Sequence, residues 1–416
     1  MDEPRDAAPT EKPVVLSIAG SDSGGGAGIQ ADLKTIEATG GFGTTAITAV
    51  TAQNTTGVES SHGLPVGEIA AQIDAVRDDF DVRGVKTGML GTEPVVECVA
   101  DYAAEFDAPV VVDPVMVAAS GDRLLTEAAE SAYEALIAEA TLVTPNADEA
   151  AVLTDVEPTG AESARAAAEA IRAIGADAAL IKGGHIPGSA VIDVLLTDAG
   201  SETMRHPRID TDATHGSGCT LSAAIATRLA RGEEPRKAVE RSVAFMEAAV
   251  RYHHAAGEGP GAVHHLVDLR NEASRNAAIE TAYGAADRLA DPGEASPGAG
   301  AVVVATEYAE SPGDVAGIAP ATSSDRVRFG RPLGPARALL DAREARPDLR
   351  VGIGVDGAAE TFADAGCAIL GDDAARNAVP VVVPLEGSDP SALLCSATLD
   401  AALDTLDAVS PPEDGR

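Results

Sequence analysis

Apolar and polar positions along this chain alternate between short strand-like runs and longer Ala-rich helical stretches. Residues 13–19 (PVVLSIA) read as a first strand, followed by a Gly-rich turn and a helix from about Gln30 to Ala38. Residues 108–117 (APVVVDPVMV), 140–144 (ATLVT) and 178–182 (AALIK) are short buried-strand candidates, and 127–140 and 163–175 are helical stretches between them. Repeated strand–helix–strand units predict an α/β domain whose mostly parallel sheet is covered on both faces. Two further helices are predicted from about Gly218 to Arg231 and from Pro235 to Ala256. The texture then changes. Residues 291–300 (DPGEASPGAG) are rich in Pro, Gly and Ser, and a new strand-like run, 301–305, follows. The boundary falls between about Asp268 and Gly300, with a helix over 270–290 that either side could claim. Residues 411–416 read as a frayed tail.

Composition sharpens this picture. At 416 residues the chain is long for one domain, and the 45% of apolar residues, mostly aliphatic with no Trp, suit buried Val/Ile strands. The net charge of −36, with Lys only at 12, 34, 86, 182 and 237, repels nucleic acid and anionic lipid. Acidic excess with scarce Lys fits a cytoplasm of very high salt, where counter-ions screen the self-repulsion. Four dispersed cysteines without a CxxC fit a reducing cytoplasm and no zinc ribbon. The N-terminal 13 residues form an acidic leader unlike a signal peptide, and no apolar run is long enough to span a membrane.

Chemistry concentrates in loops at predicted strand ends, where open α/β sheets bind ligands. In residues 19–35 (AGSDSGGGAGIQADLKT) three consecutive glycines, Gly24–Gly26, let the backbone approach a ligand, with Asp32 one turn into the helix. Alone, such a loop is equally a flexible turn. In 181–185 (IKGGH), Lys182 follows a buried strand and can place its ammonium among phosphate oxygens, although a strand-end Lys is more often solvated. In 212–226 (DATHGSGCTLSAAIA), the amides of Gly216, Ser217, Gly218 and Cys219 would lie unpaired at a helix N-terminus, a ready anion hole. Phosphoryl transfer needs such donors, plus a group to orient the attacking hydroxyl. The helix end should pull the Cys219 thiol pKa down towards usefulness near neutrality. Against this, a single helical Cys is commonly a small buried hydrophobe. In 144–150 (TPNADEA), Asn146 and Glu149 stand three apart on one helical face and suit a Mg²⁺ held largely through waters. The same pair reads as a capping box, and the two readings are compatible.

Together these segments resemble the hydroxymethylpyrimidine and phosphomethylpyrimidine kinases of thiamine biosynthesis. The resemblance runs in order through IAGSDSGGGAGIQADLKT, TAVTAQNTTGV, VKTGML, VVVDPVMVAASGDRLL, LVTPNADEA, IKGGH, THGSGCTLSAAIA and GPGAVHHL. It implies a ribokinase-like three-layer α/β/α fold over residues 14–268. It implies that Gln53 bonds the pyrimidine edge, Met89 and Val115 pack on the ring, and Gly20 and Asp32 bound the substrate pocket. It further implies that Lys182 meets the transferring phosphates, that Asn146 and Glu149 meet Mg-ATP with Glu149 nearest the metal, and that Cys219 faces the alcohol. Cys219 stands where many ribokinase-like sugar kinases carry an Asp base. A pyridoxine or pyridoxal kinase, of the same fold, is the main competing reading. His253, His254, His264 and His265 read as structural, since the other ligands of a zinc site are absent nearby.

Beyond a linker at 269–300, residues 301–410 resemble the thiamine-phosphate synthase domain fused to such kinases in archaea, through VVVATEYAESPGDVAGIA, VRFGRPLGPARALLDAREARPDLRVGIGVDG and FADAGCAILGDD. This implies a smaller C-terminal α/β domain that binds thiazole phosphate or thiamine phosphate. Gly334 and Gly354 occupy the places where the resemblance calls for a His and an Arg, which predicts impaired catalysis unless Arg326, Arg328 or Arg350 supplies the charge. A homodimer is expected.

Overall fold

A computed structural model of the chain describes residues 11–116, 127–290, 299–318, 326–355, 362, 367–370, 380–385 and 391–409. Most of the leader, the AASGDRLL run, most of the 291–300 linker, much of FADAGCAILGDD and the 411–416 tail lie outside the described residues. The chain divides into two compact units, Met1–Val267 and Asp268–Arg416. No described helix is long and apolar enough to cross a membrane.

The first unit runs β1 (Val14–Ala19), α1 (Gly28–Ala38), β2 (Phe42–Ile47), β3 (Ala49–Asn54), β4 (Gly57–Gly63), α2 (Val66–Asp79), β5 (Val82–Thr87), α3 (Glu93–Ala103) and β6 (Val110–Val112). It continues through α4 (Glu127–Ala138), β7 (Leu142–Val143), α5 (Ala147–Thr154), α6 (Ala161–Ile174), β8 (Ala179–Ile181), β9 (Ala190–Thr197), β10 (Gly200–Pro207), α7 (Ser217–Ala230) and α8 (Pro235–Arg251). Eight strands form one sheet in the order β10-β9-β8-β7-β6-β5-β1-β2. From β2 to β8 the neighbours are parallel, and β8, β9 and β10 are antiparallel. A separate antiparallel hairpin, β3–β4, stands off the sheet.

Alternation along the strands splits the core between the two sheet faces. Leu16, Ile18, Val110, Val112 and Ile181 pack with Ile69, Val99, Leu136 and Ile171 of α2, α3, α4 and α6. Val15, Val111, Leu142 and Leu180 pack with Ile36, Leu221, Ile225 and Val239 of α1, α7 and α8. The result is three layers, helices–sheet–helices.

Some elements differ from expectation. The strand predicted over 108–117 is only Val110–Val112, because Pro114 has no amide to continue the ladder. Helix α8 stops at Arg251, short of residue 256, and the chain turns into a bridge between His254 and Ala262.

The second unit comprises α9 (Val267–Ala290), β11 (Ala299–Ala305), β12 (Val315–Ile318), β13 (Arg328–Phe329), α10 (Leu333–Ala345), β14 (Val351–Val355), β15 (Ala368–Ile369), β16 (Val381–Pro384), β17 (Ala392–Ser396) and α11 (Leu399–Val409). Its sheet order is β13-β12-β11-β14-β17-β16-β15, antiparallel except for β15–β16. The span read as a linker is thus largely helix. Ala278, Ala282, Ala285 and Leu289 of α9 pack on Val302, Val304 and Ile353, so this helix belongs to the second core. Gly334 lies in the first turn of α10 facing open space, and Gly354 lies within β14 opposite Leu393.

Candidate active site

Parallel strands β1, β5, β6, β7 and β8 end on one edge of the first unit, and the loops leaving them enclose a cavity of about 510 Å³. The loop after β1 is organised by Asp22, which the sequence reading did not single out. Its Oδ1 accepts from the Gly24 amide at 2.8 Å, and its Oδ2 accepts from Gly26 at 2.9 Å and Ala27 at 2.7 Å. Burial works against the Asp22 charge, but the bond with His215 and the amides of Ala27 and Gly24 hold its carboxyl below the usual range. His265, buried, places Nε2 3.2 Å from the Gly26 carbonyl and ties the loop down from behind. His264 packs against His254 with ring centroids 4.3 Å apart and the planes tilted by 43°.

One end of the cavity is built on α7. Gly216 has φ 81°, and a Cβ there would lie 1.8 Å from the Gly26 carbonyl oxygen, so only glycine lets the two loops meet. The anion hole is narrower than expected, because the Ser217 amide already donates to the Thr214 carbonyl at 3.1 Å. Among the described residues, the amides of Gly216, Gly218 and Cys219 make no such bond. Lys182 leaves β8 towards the same helix start, with Nζ 2.8 Å from Asp113 Oδ1 and 3.9 Å from Glu149 Oε2. Burial opposes its charge, yet these two carboxylates raise its pKa. Asp113, missed in the sequence although it lies in the quoted DPVM run, is the Lys182 anchor.

Asn146 and Glu149 form the capping box of α5. Asn146 Oδ1 accepts from the Glu149 amide at 2.9 Å, and the Asn146 amide donates to Glu149 Oε2 at 2.8 Å. Glu149 also lines the cavity. Burial pushes its pKa up to about 7, with Lys182 pulling down and Asp113 adding to the rise.

Cys219 lines the cavity and its sulfur accepts from the Gly28 amide, but its electrostatics reverse the expectation. Burial pushes the thiol up to about 11; Lys86 pulls down, while Asp32 and Asp113 push further up. A helix N-terminus lowers a thiol pKa and burial raises it, and at Cys219 burial is the larger effect.

At the far end Gly20, Gln53, Met89 and Val115 line the cavity together. A Cβ on Gly20 would lie 2.1 Å from Met89 Cε, so the glycine makes room for that side chain. Asp32 does not line the cavity. It is fully buried in α1, accepting from Ser17 Oγ at 2.6 Å and from Lys86 Nζ at 2.9 Å. Lys86, unremarked in the sequence, is the fully buried partner that draws it inward.

A second cavity of about 200 Å³ opens beside the first and shares Asn146, Lys182, His185, Thr214, Ser217 and Gly218 with it. Its remaining wall includes Ile209, Leu221, Val243, Met246 and Val250. A largely apolar slot meeting a Lys and a helix N-terminus suits a nucleotide base with its phosphates.

Comparison with known proteins agrees with this geometry. The phosphomethylpyrimidine kinase family model matches residues 22–264. The chain is 49% identical over 259 residues to the hydroxymethylpyrimidine/phosphomethylpyrimidine kinase of Streptomyces coelicolor, covering 62% of this chain and 96% of that protein. Among solved structures it is similar to Bacillus subtilis pyridoxal kinase in an ADP complex, with TM-score 0.58 and 34% identity over 62% of this chain and 99% of that one. It is also similar to the phosphomethylpyrimidine kinase of Clostridium difficile, with TM-score 0.52 and 37% identity over 57% and 100%.

Proposed function

The chain belongs to the phosphomethylpyrimidine kinase family and is a phosphotransferase, and on that premise we propose that it moves the γ-phosphoryl group of ATP onto 4-amino-5-hydroxymethyl-2-methylpyrimidine and then onto the monophosphate. The observation that carries this reading is the two-ended cavity. Gly20, Gln53, Met89 and Val115 form a ring-sized recess, and Cys219, Lys182 and the free helix amides form its charged end. ATP enters through the adjoining apolar slot, which shares Lys182 and Gly218.

In this reading the Gly216, Gly218 and Cys219 amides and the Lys182 ammonium stabilise charge on the transferring phosphoryl group. Asp113 holds Lys182 in place. The neutral Cys219 thiol orients the alcohol. A neutral group there repels a substrate that already carries phosphate less than a carboxylate would. Among the described residues no three His, Cys, Asp or Glu side chains converge as a metal cage. That fits Mg²⁺, which keeps most of its waters and is held by one or two carboxylates with the nucleotide phosphates. Glu149, with Asn146 beside it, is the residue for that role, and Mg²⁺ would neutralise charge on the phosphates.

Purified protein given Mg-ATP and, separately, the pyrimidine, its monophosphate or pyridoxine should form the pyrimidine mono- and diphosphates faster than pyridoxine phosphate. On the high-salt reading of the −36 charge, the rates should rise from low to high KCl as counter-ions screen the self-repulsion. A preference for pyridoxine would overturn the substrate assignment. Cys219→Asp should slow the second phosphorylation more than the first, and full retention of the second would count against the charge argument.

For the second unit we propose binding of thiazole phosphate or thiamine phosphate with little synthase turnover. Gly334 and Gly354 offer no donor where the synthase resemblance calls for charged ones. Supplying the full chain with the pyrimidine diphosphate and thiazole phosphate tests this, and robust thiamine phosphate formation would reject it.

A further inference from the structure

Gln53 lies between two groups whose protons are already committed. The far side is His215, whose Nε2 is 3.1 Å from Asp22 Oδ2 and 3.5 Å from the Gln53 amide nitrogen. Asp22 is an ionised carboxylate that only accepts, so the proton between the two must sit on His215 Nε2. That nitrogen therefore cannot accept from a Gln53 N–H. The near side is Thr51, whose hydroxyl donates to the Ser21 carbonyl at 2.8 Å and lies 3.4 Å from Gln53 Oε1. A hydroxyl has one proton, so Thr51 offers Gln53 only lone pairs.

Both neighbours impose the same orientation. With the amide nitrogen towards His215, donor faces donor and acceptor faces acceptor. Turned by half a revolution about its last bond, the carbonyl takes a longer, shared contact from the His215 Nε2–H that Asp22 already holds, and the NH₂ donates to Thr51 Oγ1. Amide orientation is set by such proton counting. We propose that His215 and Thr51, with Asp22 behind them, are positioning residues that lock the Gln53 amide and thereby decide substrate choice.

Locked this way, Gln53 has one lone pair and one N–H left for the ligand. They match an edge that offers a donor next to an acceptor, as the 4-amino group and N3 of the pyrimidine do. Pyridoxine carries a hydroxymethyl group and a ring hydroxyl on the equivalent edge, which lack that fixed pairing. The inference rests on the assignment of the aminopyrimidine as substrate, and deepens it.

The test is the ratio of kcat/KM for the hydroxymethylpyrimidine over pyridoxine, in wild type, His215→Phe, Thr51→Val and Thr51→Ser. Loss of one partner should lower the ratio about tenfold, chiefly through KM for the pyrimidine, with KM for ATP unchanged. Thr51→Ser keeps the hydroxyl and should keep the wild-type ratio. Thr51→Val is isosteric, which guards against a variant that only misfolds. An unchanged ratio in both His215→Phe and Thr51→Val, or a parallel loss on both substrates, overturns the lock. A wild type with no preference for the pyrimidine overturns the substrate assignment itself, and is read before any variant is made.

Discussion

Lys86 and Asp32 form an ion pair with both side chains fully buried, Nζ lying 2.9 Å from one carboxylate oxygen and 3.0 Å from the other. Burial disfavours the Lys86 ammonium, but Asp32 and, more distantly, the Asp113 carboxylate raise its pKa and keep it charged. A buried pair of this kind contributes little net stability as a pair, yet breaking it strands a charge. Asp32→Asn should therefore destabilise the first unit by about 3–5 kcal/mol. The double variant Asp32→Leu with Lys86→Met should lose much less than the sum of its single changes. Urea unfolding at fixed KCl measures both, and additive losses would show that the two residues do not act as a pair.

Cys219 should behave as a thiol at neutral pH. Its pKa is pushed to about 11 by burial first; Lys86 pulls it down, and Asp32 and Asp113 push it up. Alkylation of Cys219 by iodoacetamide, followed by mass spectrometry, should be slow at pH 7.5 and accelerate as pH rises above 9. Cys219→Ser should keep kcat for the first phosphorylation within about a hundredfold, since a true general base typically contributes 10²–10⁴. A larger loss, together with fast alkylation at pH 7.5, would restore the thiolate-base reading.

The layers of the first unit were legible because buried strands announce themselves as apolar runs, and the Gly-rich turns between them fall at strand ends. Gly20, Gln53, Met89 and Val115 were legible only through the resemblance, since nothing in their local pattern marks a ring-sized recess. What stayed hidden depends on partners distant in sequence. Asp113, 69 residues from Lys182, reads as a strand-end polar residue until β6 and β8 place the two 2.8 Å apart. Asp32 and Lys86, 54 residues apart, look like exposed charges on a helix and a strand until the fold places Nζ 3.0 Å from the Asp32 carboxylate. The direction of the Cys219 shift was misjudged for the same reason. The helix end is written in GSGC, whereas the burial around the thiol and the nearby charges of Asp32 and Asp113 come from residues far along the chain.

Arg208 should control nucleotide affinity without touching the pyrimidine. Its three guanidinium nitrogens donate to the carbonyls of Gly188 at 2.9 Å, Gly184 at 2.8 Å and Ile186 at 2.7 Å. That fixes the loop following Lys182, whose Gly183 amide is held in turn by Asp193 at 2.7 Å. A Lys cannot make a three-way planar clamp. Arg208→Lys should raise KM for ATP about tenfold or more, by loss of two or three bonds, and leave KM for the pyrimidine near wild type. If Arg208→Lys matches wild type while Arg208→Ala does not, the charge matters and the clamp does not.

His265 gives the first unit an acid-sensitive point. Burial, with Lys34, His254 and His264 against the Gly26 carbonyl, lowers its pKa to about 4. In the unfolded chain the same imidazole titrates near 6.5. Between those values the unfolded state binds a proton that the folded state does not, so stability falls as pH falls. The contribution is complete above about 6.5 and lost by about 4, amounting to at most about 3 kcal/mol over the window. The loop involved carries the Gly26 carbonyl that Gly216 must approach, and Lys34 Nζ donates to its neighbour, the Gly25 carbonyl, at 2.7 Å. Acid should therefore loosen the Gly24–Gly26 loop before the sheet. His265→Gln removes the titration while keeping an N–H for Gly26. Its urea midpoint should change less than that of the wild type between pH 7 and pH 5, at constant KCl. Parallel pH slopes for the two proteins would assign the acid sensitivity to other groups.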